Sequence, residues 1–95
     1  MNYTTFHKIL KQSLKRLSPS WKNKHSKLFQ TEHVEYLAKV LHVYIYKNEL
    51  LHFTKPVFEE EIKVDFSLHL KVFENIKTES FEDLENALFC AFKNI

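Results

Sequence analysis

Val40-Leu41-His42-Val43-Tyr44-Ile45-Tyr46, then Lys47-Asn48-Glu49, then Leu50-Leu51-His52-Phe53-Thr54, is the stretch on which the fold reading turns. Both flanks are rich in β-branched and aromatic residues, which fit a pleated, half-buried surface, so the run reads as a β-hairpin. The chain has no Gly. A tight turn therefore falls to Asn or Asp, which tolerate the left-handed region, and Asn48 is placed to supply it. A two-residue loop sets Val43 opposite His52 and Tyr44 opposite Leu51. Pro56 closes the second strand, because it has no N–H to give a ladder. Further on, Ile62, Val64, Phe66, Leu68, Leu70 and Val72 alternate with polar residues, the period of a strand with one buried face. Ile62 to Phe66 is read as strand. Residues 67–76 either continue it or turn helical after Ser67, with Leu70, Phe73 and Ile76 along one side.

Helices flank this β region. Phe6, Ile9, Leu10, Leu14 and Leu17 recur at 3.6-residue spacing and predict an amphipathic helix over residues 4–17, with Lys8, Lys11 and Lys15 on the opposite side. Ser18-Pro19-Ser20 stops it. A short second helix starts near Thr31, with Val34, Leu37 and Ala38 inward. Residues 80–94 read as a last helix, with Ser80 as N-cap, Glu82, Asp83 and Glu85 in its first turn, and Phe81, Leu84, Leu88 and Ala91 inward. The expected fold class is α+β: N-terminal helices and a C-terminal helix packed on a small three-stranded sheet containing a β-hairpin. Ninety-five residues support one core, so residues 1–95 are read as a single domain.

Several functions are argued against by what the chain lacks. Without Gly, phosphate-cradling loops of the dinucleotide or P-loop type have no residue for the close backbone approach. The six His are eight or more residues apart, unlike the tight local pairs of zinc sites, so no metal and no cofactor is expected. Nothing pairs Cys90 with a base, and its apolar neighbours Leu88, Phe89, Ala91 and Phe92 mark it as a packing thiol. The carboxylates of Glu59-Glu60-Glu61 read as a solvated charge run. No apolar run approaches the roughly 18 residues needed to span a bilayer, which argues against a membrane partner and for a cytoplasmic protein. A non-enzymatic binding protein with no small-molecule substrate is expected.

The net charge of +2 conceals a segregation. Residues 1–31 carry seven basic side chains (Lys8, Lys11, Lys15, Arg16, Lys22, Lys24, Lys27) and no acidic one, a net of +7. Residues 32–95 carry seven Lys against twelve Asp or Glu, a net of −5. Such a cationic third is a candidate surface for a polyanion, each Lys or Arg replacing a counterion on a phosphate. Trp21 sits within it at Trp21-Lys22-Asn23-Lys24, and a flat aromatic can stack on an unpaired base. Two readings stay open: the stripe is a platform for phosphates or only the wet face of a helix, and Trp21 is a ligand contact or a core residue pinning the first helix.

The run Val43-Tyr44-Ile45-Tyr46-Lys47-Asn48, then Leu50-Leu51, a Pro soon after, and Ile62-Lys63-Val64-Asp65-Phe66-Ser67 leading into an apolar helix resembles the core of the DciA-like proteins, particularly the shortened versions from ε-proteobacteria. A first helix ending just before a Trp, here Leu17 to Trp21, is similar to that family's opening. The resemblance covers roughly residues 6–76. It implies a KH-like domain that binds single-stranded DNA and the replicative helicase and assists helicase loading in bacterial DNA replication. The sequence departs from the pattern where no Gly follows Trp21, where no flexible tail follows the domain, and where the last segment reads as helix rather than strand. The expected function is thus a nucleic-acid-binding adaptor, for single-stranded DNA or RNA, using Lys8, Lys11, Lys15, Arg16, Lys22, Lys24 and Lys27 for phosphates and Trp21 to stack or anchor. Two other roles remain alongside it. One is a protein-binding inhibitor or immunity-type factor, acting through a sheet edge or through the acidic last helix, where Phe89 would anchor an interface. The other is a ribosome- or RNA-associated factor.

Overall fold

The computed structural model describes residues 1–47, 70–73 and 75–95. Among these the chain forms α1 (Tyr3–Lys15), α2 (Pro19–Lys24), a first 3-10 turn (Ser26–Phe29), α3 (Thr31–Lys47), a second 3-10 turn (Leu70–Phe73) and α4 (Phe81–Lys93). No strand occurs among the described residues, whose fold is all-helical, and the expected α+β class and KH-like sheet are corrected.

The correction falls on the stretch that decided the reading. Val40 to Tyr46 is not the first strand of a hairpin but the C-terminal half of α3, which runs unbroken to Lys47. Strand propensity reports mainly how a side chain packs on a half-buried surface, and burial of a continuous apolar stripe overrides it. Here Val34, Leu37, Ala38, Leu41 and Ile45 recur at helical spacing and are all buried in one core, and Val40 is buried as well. The aromatic residues that looked β-forming fill the helix flank. His42 and Tyr46, four residues apart, meet at 5.5 Å and both pack on Phe6 of α1, at 5.5 and 6.0 Å. The Tyr46 hydroxyl donates to the Thr78 carbonyl at 2.8 Å, tying α3 to the segment that leads into α4. Leu50 to Thr54 and Ile62 to Phe66, the other expected strands, lie outside the described residues.

α1 is the hub. Asn2 caps it, its Oδ1 accepting from the Thr5 N–H at 2.8 Å, and Phe6, Ile9, Leu10 and Leu14 form its buried face. It packs against both α3 and α4. Ser13, inside the same face, satisfies its hydroxyl by donating to the Leu10 carbonyl at 2.7 Å. The Ser18-Pro19 break ends α1 as expected, but it also starts α2. Ser18 Oγ accepts from the Trp21 N–H at 3.2 Å, and Pro19 occupies the first helical position, where its missing N–H costs nothing.

α4 begins as expected at Ser80, whose hydroxyl accepts from the Asp83 N–H at 3.4 Å, with Glu82 and Asp83 against the positive end of the helix dipole. Its buried residues are Leu84, Leu88, Ala91 and Phe92, and Phe73 and Ile76 complete the core there, the Phe73 ring meeting Phe92 edge-on at 5.2 Å. Phe81, expected inward, is 62% exposed, because the buried row starts one turn later at Leu84. Cys90 is exposed rather than packed.

Candidate polyanion-binding surface

The buried face of α1 dictates where its lysines go. With Phe6, Ile9, Leu10 and Leu14 inward, Lys8, Lys11 and Lys15 fall three and four residues apart on the outer side, and all three are exposed. No described carboxylate forms an ion pair with any of them, nor with Lys22, Lys24 or Lys27. Lys22 extends the stripe from α2. Its ammonium donates to the Lys15 carbonyl at 2.7 Å, capping the negative end of α1, where the last carbonyls lack helical partners. Lys24 ends α2 and Lys27 lies in the first 3-10 turn, both exposed.

Two of the residues expected on this surface are engaged elsewhere. Arg16 turns to α4, where Nη1 donates to Glu85 Oε2 at 3.2 Å and to Asn86 Oδ1 at 2.7 Å while the guanidinium lies 4.4 Å from the centre of the Phe89 ring. It fastens the end of α1 to α4. Trp21 is half-buried and packed on the core, edge-on to Phe29 at 6.1 Å and to Phe92 at 6.3 Å, and 4.3 Å from the His25 ring. Its indole nitrogen is buried with no hydrogen-bond partner among the described residues. Trp21 thus packs against the core with part of its surface left exposed. Phe89, offered by the sequence as an exposed anchor, is itself half-buried under Arg16.

Beside the stripe lies a groove of about 250 Å³ that the sequence did not reveal. Leu14, Phe29 and Val34 form its apolar lining, and His7, Lys11, Lys15, Thr31 and Glu35 supply its polar groups. It opens where α1, the first 3-10 turn and the start of α3 converge. The only signal in the sequence was Phe29, an aromatic just ahead of the helix start at Thr31. Burial, and then the field of Lys11, lowers the His7 pKa below its ordinary value, with Glu35 opposing. Both effects favour the neutral imidazole, and the other ionisable groups lining the groove are Lys11, Lys15 and Glu35. A smaller groove of about 190 Å³ lies between Arg16, Leu17, Ser18, Trp21, Phe89 and Lys93.

Comparison of the chain with protein-family models, with curated proteins and with solved structures finds no match. Among the described residues no group of three or more His, Cys, Asp or Glu side chains is gathered to hold a metal ion. No helix among them is long and apolar enough to cross a membrane.

Proposed function

We propose that this chain is a non-enzymatic nucleic-acid-binding domain that holds single-stranded DNA or RNA on the outer face of α1. The observation that carries the reading is the state of Lys8, Lys11 and Lys15: three exposed ammonium groups in one row, none paired with a described carboxylate. Unpaired cations in a row present a sequence-independent track for phosphates, since each phosphate they neutralise releases counterions from the strand. Lys22 supports the end of that track, and Lys24 and Lys27 add charge on the adjoining elements. Arg16 and Trp21 serve the fold beneath it. The replicative helicase as partner, and a role in helicase loading, rest on the DciA-like resemblance alone.

The test replaces Lys8, Lys11 and Lys15 together by Gln. These side chains are exposed and form no hydrogen bond or ion pair among the described residues, and removing their mutual repulsion takes nothing from the fold, so the variant is expected to stay folded and to melt at or slightly above the parent's temperature. For single strands the salt dependence falls by about 0.7 per phosphate contact, so the slope of log affinity against log salt should flatten by about 2. A fourfold rise in salt should then weaken the parent about 20-fold more than the variant. An unchanged slope would remove the reading. A pull-down of the helicase that survives nuclease treatment tests the partner separately.

A further inference from the structure

Single-strand binding needs a surface for unpaired bases as well as one for phosphates, and Phe29, unlike Trp21, lines the groove beside the lysine row. The apolar surface next to the lysine row is the groove floored by Leu14, Phe29 and Val34. We infer that this groove is a base-binding subsite, taking one unstacked base on Phe29 while the adjoining phosphates lie on Lys11 and Lys15. The inference rests on the proposed nucleic-acid reading and deepens it.

Three features select this occupant. Size is the first. At about 250 Å³ the groove lies below the roughly 300–1,000 Å³ of sites that hold drug-sized molecules, so it suits a single ring system. Shape of charge is the second. The lining is apolar at Leu14, Phe29 and Val34 and cationic along α1 at Lys11 and Lys15, which matches a ring attached to a phosphate rather than a wholly apolar body. Direction is the third. Glu35 lies on the α3 side and repels phosphate, so the sugar–phosphate chain is confined to the α1 side, in line with Lys8. The smaller groove beside Trp21 lies away from the lysine row of α1, its cations being Lys93 of α4 and Arg16, which is held by Glu85 and Asn86.

The experiment compares a dodecamer of deoxythymidylate with an abasic dodecamer of the same sugar–phosphate chain, by fluorescence anisotropy at fixed salt, on the whole chain. The base-bearing strand should bind at least about five-fold more tightly, the lower end of what one stacked base contributes. Phe29→Leu, which keeps an apolar side chain but removes the ring, should bring that ratio toward one. The wild-type comparison stands by itself if the variant fails to fold. Equal affinity of the two strands, with a lysine-dependent salt slope, would overturn the base subsite and leave the phosphate track. Failure of both strands to bind would overturn the two together. Decanoate, an apolar anion without a ring, should not displace the base-bearing strand; displacement would assign the groove to a free amphiphile and overturn the inference.

Discussion

Replacing Trp21 by Ala separates the role of the indole in the fold from any role in binding. Truncating a fully buried Trp costs about 3–5 kcal/mol, and Trp21 is half-buried, so a loss of about 2 kcal/mol is expected. Much of that lies in the edge-on contacts with Phe29 and Phe92, since such aromatic pairs contribute about 0.5–1.5 kcal/mol each. In a domain of this size a loss of about 2 kcal/mol lowers the melting temperature by about 8–16 °C. Trp21→Phe behaves differently. It keeps a ring against the same neighbours and removes a buried N–H that has no described partner, whose desolvation costs about 1–3 kcal/mol. Loss of area and relief of the orphan nitrogen oppose each other, leaving the variant within about 1 kcal/mol of the parent. Urea and thermal unfolding followed by far-UV circular dichroism give both values. Anisotropy titrations at several salt concentrations should show the parent's slope in the folded Ala variant. A Trp21→Ala protein that melts like the parent but no longer binds single strands would refute this reasoning and return the indole to the ligand.

Three further outcomes follow from particular side chains. Backbone carbon chemical shifts of residues 40–46 should be helical without interruption, as the unbroken α3 requires; strand-like shifts there would reinstate the hairpin. The His7 and His25 pKa values both lie below the ordinary 6.5, through burial first and then through Lys11 and Lys24 respectively. The unfolded chain therefore takes up these protons at higher pH than the folded one, and stability falls as pH drops below about 6.5 toward the folded pKa values. A His7→Gln, His25→Gln double variant should flatten the melting temperature between pH 7.5 and 5.5, and an unaltered profile would contradict the assignment. Cys90 is exposed on α4, so a thiol reagent should titrate it in the native protein at a rate close to that of the urea-unfolded chain; a thiol that reacts only after unfolding would place it in the core instead.

The elements legible in the sequence were those whose local chemistry and apolar period agree. In α1, Phe6, Ile9, Leu10 and Leu14 keep helical spacing up to the Ser18-Pro19 break, and in α4 the Ser80 cap precedes Leu84 and Leu88. α3 was hidden because two signals compete in it. Val40, Val43, Tyr44, Ile45 and Tyr46 are β-formers one by one, while Leu37, Ala38, Leu41 and Ile45 carry the helical period, and burial against α1 decides. α2 was hidden because Ser18-Pro19 is equally a stop for one helix and a cap with first residue for the next. At the surface, the positions of the lysines were legible from the apolar face they oppose, but their state was not. Nothing local to Arg16 announces Glu85, 69 residues away, and nothing local to Trp21 announces Phe92.

One helix thus carries the hydrophobic hub and the cationic row back to back. Lys8, Lys11 and Lys15 repel one another at three- and four-residue spacing, each such pair opposing helicity by about 0.2–0.5 kcal/mol, and the buried opposite side of α1, with the Asn2 and Lys22 caps at its ends, holds the helix against it. With the row acting as the proposed phosphate track, stability and affinity are in tension along a single element: variants selected for heat resistance should accumulate neutral or acidic replacements in this row and bind single strands more weakly.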